Sequence, residues 1–226
     1  MNIIKFFIKI IGFYYREYKI NLSGFHDILT NLIFFFLSIF IFIFSIGPDK
    51  ETLSPFGVGI LWTLLLLSST LSLRKFYQDD FDNGNLLIMY INGFSLEFIV
   101  ILKTISHYIF VQIPFLISIP LACILLNISI DKMYNVVLSF VLGSLILSCL
   151  GSISSSMNLL NQRNYLLGSV IVMLLSIPVI IFSVGIINVN ENFNSLLSIL
   201  FGILLITFAI NPWASGMCIK LGLQNN

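Results

Sequence analysis

Apolar residues in this chain come in long blocks rather than in alternation. Six runs stand out, at about 28–46, 56–73, 98–126, 135–157, 165–187 and 196–218. Each approaches or exceeds the ~20 residues that carry a helix across ~30 Å of hydrocarbon. The third run is long and contains Pro114 and Pro120, which predict kinks. The first is rich in phenylalanine (Phe34, Phe35, Phe36, Phe40, Phe42, Phe44), as befits an outer, lipid-facing helix. In the fourth, Ser144, Ser148, Ser152 and Ser156 recur every four residues, with Gly143, Gly151 and Ser155 nearby. Small residues at that spacing predict a close helix–helix contact. A substrate-lining face is the sharper alternative.

Residues 1–25 carry a different pattern. On a 100° wheel Lys5, Lys9, Gly12, Arg16 and Lys19 share one narrow sector, and Ile4, Phe6, Phe7, Ile10, Ile11 and Tyr14 fill much of the rest. This predicts an interfacial helix with its lysines toward lipid phosphates, ended by Ser23-Gly24. It has neither the unbroken apolar core nor the small-residue cleavage site of a signal peptide. The expected class is an all-α integral membrane protein, a single membrane domain over residues 1–226, with no soluble domain appended and no internal repeat.

Composition agrees. The chain is 58% hydrophobic and 9% charged, against roughly 25% charged in soluble domains. A net charge of +1 offers no field to attract nucleic acid. Cys123, Cys149 and Cys218 sit inside apolar runs, as small buried hydrophobes do. Three alanines against abundant Ile, Phe, Asn and Lys suggest an AT-rich genome, bacterial or organellar. Basic residues set the orientation. With the N-terminus in the cytoplasm, Lys5, Lys9, Arg16, Lys19, Arg74, Lys75, Lys103, Arg163 and Lys220 fall inside, and only Lys50 and Lys132 outside. Both termini and residues 74–91 are then cytoplasmic, and the outer loops are too short to form a domain.

The chemistry of an autonomous enzyme or pump is missing. There is no phosphate-binding GxxxxGK[ST] loop, no HExxH, and no acid within the predicted spans to carry a proton. With two histidines and no paired cysteines, no metal cluster is expected. His26 reads as an interfacial polar residue. His107, within the third span beside Tyr108, reads as a histidine bonded to a neighbouring helix, with haem ligand or relay as the sharper alternative.

The remaining polar feature is RKFYQDDFDNGNLLIMY, residues 74–90. Here the second span is expected to continue to Asp80. Asp82 or Asn83 can cap a short surface helix, Gly84 permits the turn, and Asn92-Gly93 ends the helix. Six spans, an N-terminal interfacial helix and a short cytoplasmic helix between spans two and three resemble the membrane subunits of ABC-type exporters. The acidic–x–Gly–x–Leu core of their coupling helix reads here as Asp82-Asn83-Gly84-Asn85-Leu86. FYQDDFDNGNL at 76–86, IVILKTISHYIF at 99–110, NQRNYLLGSVIVMLLSIPVIIFSVGI at 161–186 and NPWASGMCIKL at 211–221 look like the haem exporter protein B family of the cytochrome c maturation system. The resemblance covers about residues 10–222. It departs at Leu87, where the family usually has glutamate, and at Asn92-Gly93, where it usually has Ser-Pro.

That resemblance implies a permease subunit that is not itself an enzyme. It implies a separate ABC ATPase, two copies in the complex, a haem-handling membrane protein C, a haem chaperone E, and a bacterial inner membrane, with the mitochondrial inner membrane as alternative. Haem is then cargo of the complex, or the loaded chaperone is what ATP releases. No directly bound cofactor is expected: only Trp62 and Trp213 are present, far apart, and no tryptophan-rich outer loop could hold haem. The residues expected to meet the ATPase are Asp79, Asp80 and Asp82 by charge, and Phe76, Tyr77 and Phe81 in its surface groove, around the Gly84 turn and Leu86. Two readings compete: a permease of the same architecture for a lipid, polysaccharide or drug, and a non-transporting assembly scaffold.

Overall fold

In a computed structural model, residues 3–160, 166–188 and 193–224 are described, without the side chains of residues 3–8, 22, 23, 74, 75, 166, 167 and 188. Arg163 of the charge count and residues 189–192, in the expected outer loop between the last two spans, therefore lie outside the described residues, as do the side chains of Lys5, Arg74 and Lys75. The described chain is helical: α1 (Ile3–Ser23), α2 (Phe25–Ile46), α3 (Lys50–Thr70), α4 (Arg74–Asp82), α5 (Asn85–Ile91), α6 (Leu96–His107), α7 (Ile113–Leu125), α8 (Met133–Asn158), α9 (Leu166–Asn188) and α10 (Phe193–Gln224). Among the described residues six helical stretches are long and apolar enough to span a membrane: Phe25–Ile46, Lys50–Thr70, Leu96–Leu125, Ile130–Asn158, Gly168–Ile187 and Phe193–Gln224. The chain is an all-α integral membrane protein.

α8 is the central rod. It packs on α9 and α10 and also meets α4, α6 and α7. Its buried face is the small-residue face: Ser144, Ser148, Gly151, Ser152 and Ser156 are all buried. A Cβ on Gly143 would lie 2.3 Å from the ring of Trp62, and one on Gly151 would lie 2.7 Å from Leu73. Small residues thus bring the backbones together where apolar attraction between helices in lipid is weak. α2 lies at the periphery, with Phe34, Phe40, Phe42 and Phe44 exposed and only Phe35 of its phenylalanines buried, edge-on to Phe115 at 5.5 Å.

Two breaks differ from the expected pattern. The second span does not run on to Asp80. Ser69, Thr70 and Ser72 each donate to the carbonyl three residues back, and the backbone tightens into successive three-residue turns over Leu71–Leu73 before α4 begins. Hydroxyls that bond the local backbone compete with the helical ladder, and here they end the span. The third span holds together as one rod from Leu96 to Leu125, but Tyr108–Gln112 forms a wider π-turn. Pro114 has no N–H for the Phe110 carbonyl, and its ring crowds that carbonyl. The wider turn just before it accommodates both.

Between α4 and α5 the short-helix cap is neither Asp82 nor Asn83. Gly84 takes the N-cap position at φ +70°, a left-handed conformation with open space where a side chain would be, so glycine is needed for backbone freedom rather than room. α1, α4, α5, the start of α6 and the end of α10 share one apolar cluster, in which Phe13, Tyr77, Leu86, Ile99 and Ile219 are buried. The described N-terminal helix and the C-terminal end of α10 therefore sit at the same end of the bundle as α4–α5.

Gly143→Ala is expected to destabilise the protein by about 1–3 kcal/mol, the usual cost of overpacking, because a methyl meets a rigid indole. Trp62→Phe in the same chain should restore part of that loss. Thermal unfolding in mild detergent measures both.

Candidate functional site

The site begins with a lysine in an apolar helix. Lys103 stands two turns into α6, within the third span, and is 7% exposed. Its ammonium sits 3.0 Å from Glu17 of α1 and pairs with Asp80 of α4. Arg16 completes the set: one nitrogen donates to Glu17 at 2.9 Å and another pairs with Asp80. Asn85, the first residue of α5, donates to Asp80 at 3.2 Å. Two cations and two carboxylates thus form a neutral quartet joining α1, α4 and α6, with α5 hung from it. Burial alone would raise the Asp80 pKa, but the adjacent Lys103 and Arg16 reverse that and hold the carboxyl below its ordinary value.

This geometry places three sets of charges. Lys103, counted with the cytoplasmic cations, lies inside the third span. Asp80, 5% exposed, faces inward to its own chain's cations rather than outward to a partner's. The basic face of α1 is turned in part toward protein: besides Arg16, Lys9 donates to the Asn92 carbonyl at 2.8 Å and lies over the Phe94 ring. The reason is common to all three. Charges at the membrane boundary are held more favourably by opposite charges and carbonyls at fixed positions than by an apolar surround.

The predicted contact residues separate into two groups. Phe76, Tyr77 and Phe81 are buried, as is Leu86, so they pack inward against their own chain. Tyr77 shares a 2.8 Å hydrogen bond with Ser152 of α8, and burial pushes its phenol well above the ordinary range. Asp79, Asp82 and Asn83 are exposed. What α5 offers outward is apolar: Leu87, Ile88, Tyr90 and Ile91 are all exposed, at 46%, 55%, 50% and 73%. Leu87 lies on that outer face. Asn92 caps α5, and Gly93 follows at φ +87°.

Inward from the quartet, polar side chains bridge the helices. His107 is held at both ring nitrogens, by Ser72 at 3.0 Å and Ser148 at 3.1 Å, with Phe76 stacked on its ring. Ser152 also bonds Ser215 of α10 at 3.2 Å. Ser215 donates to Asn211, and Asn211 donates to Thr104 of α6, each at 2.9 Å. Ser155 donates to the Leu73 carbonyl at 2.9 Å. The serine stripe therefore serves as packing surface and as hydrogen-bonding partner for α4 and α6. Among the described residues no group of three or more His, Cys, Asp or Glu is placed to hold a metal ion.

Sequence reasoning missed Glu17 and the Asn211–Thr104 bridge. One signal was available: a lone lysine in an apolar run implies a buried carboxylate partner. Nothing in the spacing identified that partner as Glu17, more than 80 residues away.

Among the described residues, five membrane-length helical stretches and a sixth, small-residue central rod, with a charge-locked pair of short helices at one end, define a polytopic α-helical membrane protein. The chain belongs to the CcmB protein family, whose profile matches residues 8–222. It is 30% identical over 213 residues to heme exporter protein B of Haemophilus influenzae, covering 93% of this chain and 96% of that protein. Heme exporter protein B of Bradyrhizobium diazoefficiens is also 30% identical over 213 residues, covering 92% and 96%. That of Escherichia coli K12 is 29% identical over 201 residues, covering 88% and 91%.

Removing either Asp80 or Lys103 strands a buried charge, so Asp80→Asn and Lys103→Met are each expected to cost about 3–5 kcal/mol. The double variant leaves Arg16 and Glu17 balanced and should recover much of the loss. Detergent unfolding of all four proteins reads out the coupling, and simple additivity would show that the pair does not interact.

The lowered Asp80 pKa also fixes a pH dependence. Its contribution is present above the unfolded value and is lost as pH falls through the folded one. The stability gap between wild type and the Asp80→Asn/Lys103→Met variant should narrow below about pH 4.

Proposed function

We propose that this chain is the membrane subunit of an ATP-driven exporter complex serving cytochrome c maturation in a bacterial inner membrane. In this reading a separate ABC ATPase binds at α4–α5, and its hydrolysis cycle moves α6. The observation that carries the reading is the Asp80–Lys103 pairing: α4 is bonded to the third span by charge, so displacement of α5 reaches α6 through Asn85 and Asp80. The names of the relatives supply haem as the exported group; the cargo of the cycle is haem or the haem-loaded chaperone E that ATP releases. Partners in the membrane are a haem-handling protein C and a second copy of this chain.

Packing of both chain ends beside α4–α5, together with the excess of lysine and arginine there, supports cytoplasmic termini. The burial of Phe76, Tyr77 and Phe81 moves the partner contact. The ATPase meets the apolar outer face of α5 (Leu87, Ile88, Tyr90, Ile91), flanked by exposed Asp79 and Asp82, while the buried aromatics and Gly84 shape the segment from beneath. An apolar centre within a charged rim is the usual anatomy of a specific interface.

The test is purification in mild detergent with the ATPase identified among co-purifying subunits. Ile88→Glu with Ile91→Glu should lower its recovery about tenfold or more, the loss that burying unpaired charge at an interface produces. A hydrolysis-dead ATPase should abolish haem-staining c-type cytochromes. Normal cytochromes with the dead ATPase would overturn this reading and leave the passive scaffold or a permease for another cargo.

A further inference from the structure

A cavity of about 610 Å³ opens at the elbow between α1 and α2 and reaches inward past the quartet to His107. Its size falls within the roughly 300–1,000 Å³ of small-molecule sites. The quartet forms one wall, and Asp27, Asn31, Asp79 and Ser106 line others. Its ionised lining has two cations (Arg16, Lys103) against four carboxylates (Glu17, Asp27, Asp79, Asp80), a formal excess of two negative charges. Deep inside, Ser106 is 2% exposed and its hydroxyl has no hydrogen-bond partner among the described residues. Asn31 is 8% exposed on the α2 wall. A buried hydroxyl on the wall of a polar cavity offers a hydrogen bond to a polar occupant.

The location selects that occupant. α1 is amphipathic and α2 spans, so their elbow lies at the depth of lipid headgroups. From Thr30 at the cavity, Phe34, Leu37 and Ile41 continue along the same side of α2 at intervals of four, three and four residues, all exposed. That stripe gives acyl chains a path while a headgroup enters the cavity. Arg16 uses two of its five N–H donors on Glu17 and Asp80 and retains part of its side chain exposed, which suits a phosphate. The exposed Asp79 carboxylate on this negative lining suits a primary ammonium that can donate three hydrogen bonds.

We propose that this cavity binds the headgroup of a zwitterionic, primary-amine phospholipid, phosphatidylethanolamine, with phosphate toward Arg16 and ammonium toward the carboxylate-rich wall at Asp79. Bound there, the lipid wedges between α1–α2 and α6 against the quartet, so occupancy supports the lock between α1, α4 and the third span.

The purified chain in nanodiscs of phosphatidylethanolamine, phosphatidylglycerol and phosphatidylcholine tests this by native mass spectrometry. Phosphatidylethanolamine should be retained about tenfold over the other two, the factor set by one charge-assisted hydrogen bond. Ser106→Leu and Asn31→Leu, which fill the cavity, and Asp79→Asn at its mouth should each remove the preference. Unfolding temperature monitors the fold, and Asp79→Asn, an exposed isostere, stays informative if a filled cavity does not fold. Equal retention of the three lipids, or a preference unchanged in the variants, overturns the proposal. Preference for phosphatidylglycerol would overturn the ammonium assignment and the proposal with it.

Discussion

The arrangement of this end of the molecule depends on four charges that have nowhere else to go. Lys103 is fixed in the third span by the sequence of α6, and its ammonium is held between α1 and α4. Everything around it answers that constraint. α4 brings Asp80, α1 brings Glu17, and Arg16 balances the second carboxylate. Buried ion pairs seldom add much net stability, since desolvation offsets attraction, but breaking one is costly. The quartet is therefore better understood as a specifier of geometry. It sets where α1 lies across the bundle and where α4 ends, while burial in the shared apolar cluster beneath supplies most of the adhesion.

The same division recurs deeper in the bundle. Apolar clusters fill the spaces between spans, and the hydroxyl, amide and imidazole bridges decide which turn faces which. In lipid an individual interhelical hydrogen bond contributes little, of order 0.6 kcal/mol. Its value lies in direction. Tyr77, Ser152, Ser215, Asn211 and Thr104 form a chain linking α4, α8, α10 and α6, so α4 is held to the bundle on two sides, by charge and by hydroxyls. On the proposed function, this is what makes a nine-residue helix stiff enough to pass a push onward. The π-turn at Tyr108–Gln112 then divides the third span into a part bonded to α4 and a part packed on α2 and α3.

The coarse architecture was legible because its cause is local. A run of twenty apolar residues reads as a span wherever it occurs. Serine every four residues in α8 was equally legible as contact surface, since the spacing itself puts those residues on one face. The interior of the coupling segment was not. In a charged, aromatic nine-mer nothing local distinguishes Asp80, which turns inward, from Asp79 and Asp82, which remain exposed. That difference is set by Arg16 and Lys103, far away in the chain. For the same reason Phe76, Tyr77 and Phe81 looked like partner-facing aromatics, although the nearest apolar surface available to them is their own bundle. The stop at Thr70 was closer to reach, because Ser-Ser-Thr-Leu-Ser carries its own means of ending a helix.

The outward face of α5 changes the meaning of the two departures from the usual family pattern. Leu87 puts apolar surface on that face where the resemblance implied a charge, and Ile88, Tyr90 and Ile91 are exposed with it. A partner reading it would rely on shape and desolvation more than on charge, the more so as Asp80 is consumed internally. Asn92-Gly93 acts at the other end of the helix. Gly93 adopts φ +87°, which proline cannot, and the Asn92 carbonyl it leaves accessible is the one that Lys9 of α1 takes. The turn that ends α5 therefore also fastens it to α1. α5 is restrained at its start through Asn85 and Asp80 and at its end through Asn92 and Lys9, with only its apolar side turned outward. Two tethers at opposite ends of a seven-residue helix limit rolling and leave tilting as a unit with α1 and α4 the easier motion.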